Sequence, residues 1–101
     1  MIIRIPDKIQ VGGQDYNVKV GDKYQYPALR DDQGLFNPGE GQILIDSRAP
    51  MSAQQNTFIH ELVHCILYNM GQYDLERDET FVNTFAGFMS EALRSIDYDI
   101  K

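Results

Sequence analysis

The stretch between Pro50 and Gly71 constrains the fold most, because its apolar residues recur at steps of three and four. These residues are Phe58, Leu62, Cys65, Ile66 and Met70. The spacing places them on one face of an α-helix that packs against a core. Ser52 and Gln55 have the spacing of a capping box, and Gly71 stands where a left-handed residue commonly ends a helix. The sequence therefore predicts a helix over 52–70.

The half of the chain before this helix has the features of a small sheet. Residues 14–20 alternate apolar and polar side chains, which predicts a half-buried strand. Residues 2–5 are rich in isoleucine, and 42–46 form a short apolar run bounded by turn residues, so both predict further strands. The Gly-, Pro- and Asp-rich stretch 21–41 predicts loops around one or two short strands. We therefore expect sheet and loops over 1–50.

A second helix is predicted over 76–95, where apolar residues again follow helical spacing. They are Phe81, Phe85, Phe88, Met89, Ala92 and Ile96. At 101 residues the chain has the usual size of one domain. The prediction is a single α+β domain over 1–101, in which a short antiparallel or mixed sheet packs on two helices.

The first predicted helix contains the chain's only two histidines, in the sequence His60-Glu-Leu-Val-His64. Residues four apart lie on the same side of a helix, so both imidazoles can reach one tetrahedral Zn²⁺. Glu61 lies beside the first ligand, where it can act as general base toward a metal-activated water without binding the metal. The alternative is a pair of ordinary polar residues on a helix. The burial implied by the flanking apolar residues favours the metal site, because unpaired ionisable groups are costly there.

A catalytic zinc site requires a third protein ligand, and the chain has no further histidine and only one cysteine. The third ligand should then be a carboxylate near the start of the second helix. Glu79 is favoured because its helical phase groups it with small or polar residues, away from the phenylalanines; these are Asn83, Ala86 and Ser90. Glu76 is the main alternative, and Asp74 and Asp78 are also near. A structural explanation for Glu79 is an acid in a first helical turn, which the helix dipole favours.

Taken together, these residues resemble the gluzincin metallopeptidases, and most closely the small minigluzincin and ImmA/IrrE-type proteins of prokaryotes and their phages. The motif at 60–64 is followed by Glu79 and then by Asn83-Thr-Phe-Ala86, and the resemblance covers mainly 42–93. It implies a zincin-like fold, zinc-dependent hydrolysis of a peptide or protein substrate, and metal ligation by the two histidines and Glu79.

The resemblance also places the segment 43–45 at the edge strand that lines the cleft in zincins. There it would pair with an extended peptide, whereas an ordinary core strand is the alternative. The residue that stabilises the oxyanion stays open, since the chain lacks a downstream histidine and several tyrosines are candidates. They are Tyr16, Tyr24, Tyr26, Tyr68 and Tyr73.

A non-catalytic or latent zinc-binding regulatory module of a phage or mobile element is the alternative function, because the small chain has little room for a substrate-selecting subdomain. Latency would follow if Asp97, Tyr98 or Asp99 folded back onto the metal. A net charge of −6 without a Lys/Arg cluster argues against nucleic acid or an anionic membrane as partner. The absence of a recognisable signal sequence and of a long apolar run predicts a cytoplasmic protein.

Overall fold

The computed structural model describes residues 3–96, which form an α+β domain with a four-stranded mixed sheet and three helices. The strands are β1 (Lys8–Val11), β2 (Gln14–Gly21), β3 (Gly34–Asn37) and β4 (Gln42–Asp46), and the helices are α1 (Met51–Asn69), α2 (Tyr73–Arg77) and α3 (Glu79–Ser95). The spatial strand order is β1-β2-β4-β3. β2 pairs with β4 in parallel, and the other two pairs are antiparallel. The predicted α+β class with a mixed sheet and the predicted strands at 14–20 and 42–46 are confirmed.

β4 lies inside the sheet, between β2 and β3. Its central residues Ile43, Leu44 and Ile45 are buried, as is typical of a strand covered on both faces. Their backbone groups are directed to neighbouring strands on both sides. The expected edge-strand role of 43–45 is therefore wrong, and the edges of the sheet are β1 and β3.

α1 begins at Met51, after Pro50, and no side chain caps it. The capping box predicted at Ser52 is therefore wrong. The side chain of Gln54 instead donates to the backbone oxygens of Ser47 and Ala49, at 3.2 and 2.8 Å, and ties the helix start to the loop after β4. The far end agrees with the prediction, since the helix stops just before Gly71, whose φ is 75°.

The single helix predicted over 76–95 is divided into α2 and α3 by Asp78. This residue has an extended backbone (ψ 93°), and its side chain accepts a hydrogen bond from the Phe81 N–H at 3.1 Å. α3 packs on α1 through buried Val82, Ala86 and Ser90. The small residues Ala86 and Ser90 let the two helices approach closely, and Phe85 and Phe88 lie at the surface outside this contact.

The phenylalanine stripe of α3 mostly faces away from the core. Phe85 and Phe88 are 49% and 70% exposed, whereas Phe81 and Met89 are half-buried against the core. Helical spacing predicted correctly that these residues share one side of the helix, but the larger part of that side is at the surface.

The N-terminal strand predicted over 2–5 is absent in the described part of that segment, where Ile3 instead packs into the core. The first strand is β1, and the loop region 21–41 contains the short helix Pro27–Leu29 together with β3. Among residues 3–96, no helix is long and apolar enough to cross a membrane. The latency proposed for residues 97–99 lies outside the described residues.

Candidate metal centre

His60 and His64 lie one turn apart on α1 and turn their rings toward each other. Their Nε2 atoms are 3.2 Å apart, and the ring centroids are separated by 4.9 Å. His64 is buried and His60 is half-buried, because this side of α1 faces the start of α3. The i, i+4 spacing therefore produces the shared position that the sequence predicted.

Glu79, the first residue of α3, completes a triangle with the two imidazoles. One carboxylate oxygen is 3.1 Å from His64 Nε2, and the other is 3.3 Å from His60 Nε2. Ligands of a tetrahedral ion at 2.0–2.1 Å are separated from one another by roughly 3.3 Å. The three side chains thus fit a single metal ion and can hold one. The predicted preference for Glu79 over Glu76 agrees with this geometry.

Glu76 contacts the opposite side of the His64 ring. Its Oε1 atom lies 3.2 Å from His64 Nδ1. A carboxylate can only accept, so Nδ1–H donates to Glu76, and the lone pair of His64 is placed on Nε2, where it points at the metal position. Outer carboxylates commonly orient metal-binding histidines in this way. Glu76 therefore orients a candidate ligand, His64.

Burial and the neighbouring His64 ring lower the pKa of His60 below its ordinary value. The lowered pKa keeps this imidazole neutral at neutral pH, and only the neutral ring has a lone pair for a metal. The environment of α1 therefore favours the protonation state that ligation requires.

Glu61 is 7% exposed and lies beside the metal position without belonging to the ligand triangle. Its Oε2 atom is 3.9 Å from His60 Nε2, and its carboxylate accepts a hydrogen bond from the backbone N–H of Phe36 on β3. Burial, reinforced by the charge of Glu79, raises the pKa of Glu61 to about 8. Two carboxylates whose negative charges interact beside neutral imidazoles favour a cation near them.

A cleft of about 1230 Å³ opens in front of these residues, between β3 on one side and α1 and α3 on the other. The face of α3 predicted for the metal pocket does line this cleft, through Asn83, Ala86 and Ser90. None of the tyrosines among residues 3–96 lines it, although all had been candidates for oxyanion stabilisation. Tyr16, for example, lies in the core, where its hydroxyl accepts a hydrogen bond from Asn69 at 3.0 Å.

Gly34 is a residue of the site that sequence reasoning missed. A Cβ atom at this position would overlap the Thr57 Cγ2 methyl and lie 3.2 Å from Glu61 Cγ. Glycine therefore allows β3 to approach α1 closely enough for Phe36 to reach the Glu61 carboxylate. The only signal in the sequence was a glycine within the stretch 21–41, predicted as loops around one or two short strands, and it did not reveal the partner of Gly34 on α1.

Comparison of the chain with protein-family models, curated proteins and solved structures found no match.

Proposed function

We propose that this protein is a zinc-dependent peptidase of the gluzincin type, with a zincin-like arrangement of its sheet and helices. The observation that carries the proposal is the geometry around α1. Two histidines and Glu79 form a ligand triangle, while a buried carboxylate, Glu61, lies 3.9 Å from His60 Nε2 and outside that triangle. Catalytic zinc sites share this combination of three protein ligands, an open position and a neighbouring base.

Zinc is the preferred ion because two imidazole nitrogens and one carboxylate oxygen suit it, whereas Mg²⁺ and Ca²⁺ prefer all-oxygen sites. When bound, zinc supplies Lewis acidity, which polarises the scissile carbonyl and makes a water molecule acidic enough to be deprotonated near neutral pH. His60, His64 and Glu79 would hold the ion, and Glu76 would keep the His64 tautomer suited to ligation.

Glu61 performs the proton transfers in this proposal. It accepts a proton from the attacking water as the water oxygen bonds to the carbonyl carbon. It then donates that proton to the leaving nitrogen as the C–N bond breaks. The hydrogen bond from the Phe36 N–H keeps the carboxylate between the edge strand and the metal position.

The substrate would bind along β3, which replaces the segment 43–45 as the candidate edge strand. The backbone N–H of Asp46 donates to the backbone oxygen of Gln33 at 2.8 Å, so Gln33 forms a hydrogen-bonded pair with Asp46 of β4. Because such pairs alternate along an antiparallel ladder, the backbone groups of Gly34 and Phe36 are directed to the free edge. The Phe36 N–H is bound to Glu61, and Gly34 is left to pair with an extended peptide.

The first test is metal analysis of the purified protein together with cleavage of a peptide library. We expect one zinc per chain and measurable cleavage by the wild type. Glu61→Gln should keep the zinc and lose hydrolysis by about 10²–10⁴-fold, the usual contribution of a general base. Glu79→Ala should lose zinc affinity. Glu40→Gln, an exposed carboxylate outside the cleft, is the matched control and should change neither.

Full activity in Glu61→Gln would remove Glu61 as the base. Stoichiometric zinc without any cleavage would instead favour the second candidate, a non-catalytic or latent zinc module. The observation that favours this second candidate is that the described residues lining the cleft include no tyrosine, and no histidine besides the two ligands, to stabilise an oxyanion.

A further inference from the structure

The cleft contains more carboxylates than the proposed metal centre uses. Among the described residues that line it, the carboxylates are Asp32, Glu61, Glu76, Glu79 and Glu91, and the only Lys or Arg is Arg94. When all are ionised, five carboxylates, one guanidinium and a divalent ion leave a formal charge of −2. A concave surface with one sign of charge concentrates ligands of the opposite sign. The cleft therefore attracts cationic ligands even with metal bound.

Arg94 is held against α1 at the end of the cleft far from Glu79. Its guanidinium donates to Asn56 Oδ1 at 2.6 Å, Gln55 Oε1 at 3.2 Å and the Ser52 oxygen at 3.3 Å. All three acceptors belong to the first turns of α1. These bonds direct the guanidinium to the helix, so the cationic group contributes to the packing of α3 on α1.

Asp32 differs from the other aspartates around it. Asp31 is paired with Lys23 at 3.0 Å, and Asp46 is paired with Arg48 at 2.9 Å. Within residues 3–96, no hydrogen bond or ion pair reaches the Asp32 carboxylate, which is exposed at the wall of the cleft. Its negative charge is also close enough to Glu61 to raise the pKa of that carboxyl.

Asp32 lies in the loop just before β3, which limits its distance from the reacting bond. Gly34 lies directly against Glu61, and Asp32 precedes Gly34 by two residues. Two residues of chain span at most roughly 7 Å. A peptide that pairs with Gly34 beside the metal would therefore place a side chain next to Asp32 about two residues from its scissile bond.

We propose that Asp32 is a specificity-determining residue, which binds a lysine or arginine side chain of the substrate about two residues from the scissile bond. This inference rests on the proposed peptidase function and specifies its substrate class as cationic peptides. A carboxylate and an ammonium or guanidinium group within the cleft form a charge-assisted hydrogen bond, which is stronger than a neutral one.

The test uses zinc-loaded full-length protein and two series of peptide hydroxamates, which bind the metal whether or not turnover occurs. One series extends from the hydroxamate on the amino side and the other on the carboxyl side. Within each series only the residue two positions away varies, as lysine, glutamine or glutamate. We expect lysine to bind about tenfold tighter than glutamine in one series, and glutamate to bind more weakly than glutamine.

The variants separate Asp32 from the general acidity of the cleft. Asp32→Asn should abolish the lysine preference and Asp32→Lys should invert it, both with unchanged zinc content. Asp31→Asn, which alters the neighbouring carboxylate paired with Lys23, should keep the preference. With cleavable peptides, Asp32→Asn should raise KM for lysine substrates relative to glutamine substrates, so that the difference in KM between the two is lost.

Equal binding of the lysine, glutamine and glutamate probes, or a lysine preference that persists in Asp32→Asn, would overturn the assignment of Asp32. If the hydroxamates show the preference and no peptide is cleaved, the subsite is supported and the hydrolytic function fails. If peptides are cleaved without any charge preference, only the subsite is wrong.

Discussion

The two helical walls of the cleft contribute to the candidate metal centre in different ways. On α1, His64 and Glu61 are both 7% exposed and lie in a helix packed against the sheet. On α3, the Glu79 side chain is 62% exposed, and Gly87 has open space where a Cβ would lie. The α1 wall is therefore a preformed part of the core, whereas the α3 wall supplies its candidate ligand, Glu79, from the surface. Substitutions on the α1 side should therefore affect both folding and metal binding. Substitutions on the α3 side should change one of these properties without changing the other.

The largest effect is expected for His64→Ala, which removes a buried ligand from the α1 wall. Metal affinity should fall on the order of 10³-fold or more, equivalent to about 4 kcal/mol, because two donors remain. Competition with a chromogenic chelator measures this loss. Tyr24→Ala, at an exposed residue outside the cleft, is the control. Affinity within threefold of the wild type would exclude His64 as a ligand.

Glu61→Gln should change the pH dependence of stability in metal-free protein. Because the pKa of Glu61 is raised from 4.5 to about 8 in the folded state, its ionisation destabilises the wild type as pH rises between these values. Glutamine removes this cost, so the variant should gain on the order of 3 kcal/mol relative to the wild type between pH 5 and pH 8. Urea unfolding with chelator present measures the difference. Parallel pH curves for the two proteins would contradict the buried, ionisable position of Glu61.

Glu76→Ala should weaken metal binding by about 10–100-fold, the usual cost of losing a group that orients a ligand. The reason is that His64 Nδ1 loses its acceptor, so the tautomer with a lone pair on Nε2 is no longer favoured. Glu76→Gln keeps an acceptor oxygen and should recover most of the affinity. If both variants bind metal like the wild type, Glu76 does not position His64.

Alanine substitutions at two glycines test whether the contact of β3 with α1 is packed more tightly than the surface of α3. Gly34→Ala should destabilise the protein by about 1–2 kcal/mol, because the added methyl overlaps Thr57 in a packed contact. Gly87→Ala should stabilise it by about 0.5–1 kcal/mol, since an alanine in the middle of α3 meets nothing within 4 Å. Thermal or urea unfolding of the two variants tests the contrast. A stabilising Gly34→Ala would show that β3 and α1 are less closely packed.

Features that depend on residues close together in the chain were predicted more accurately than features that depend on tertiary contacts. The positions of His60, Glu61 and His64 depend only on the 3.6-residue turn of one helix, so the motif predicted their arrangement. The choice of Glu79 required the correct phase of a second helix, which its polar and small neighbours supplied. In contrast, spacing showed that the phenylalanines share a face without showing that this face is largely exposed.

The sheet was harder to predict because strand neighbours are set by tertiary pairing. The run Ile43-Leu-Ile45 is typical of a strand buried on both faces, but the edge role implied by the family resemblance and the role of an ordinary core strand both stayed open in the sequence. The approach of β3 to α1 depends on the contact of Gly34 with Thr57, two residues far apart in the chain. No periodicity within either segment encodes that contact.

Because the extended backbone at Asp78 separates α2 from α3, the two carboxylates around His64 belong to different helices. Glu76 belongs to α2 and Glu79 to α3, and each contacts a different ring nitrogen. A rotation at Asp78 that tilts α3 would withdraw Glu79 from a bound ion and leave Glu76 on the imidazole. A metal ion at this position would then lose one ligand while His64 stays oriented for its return.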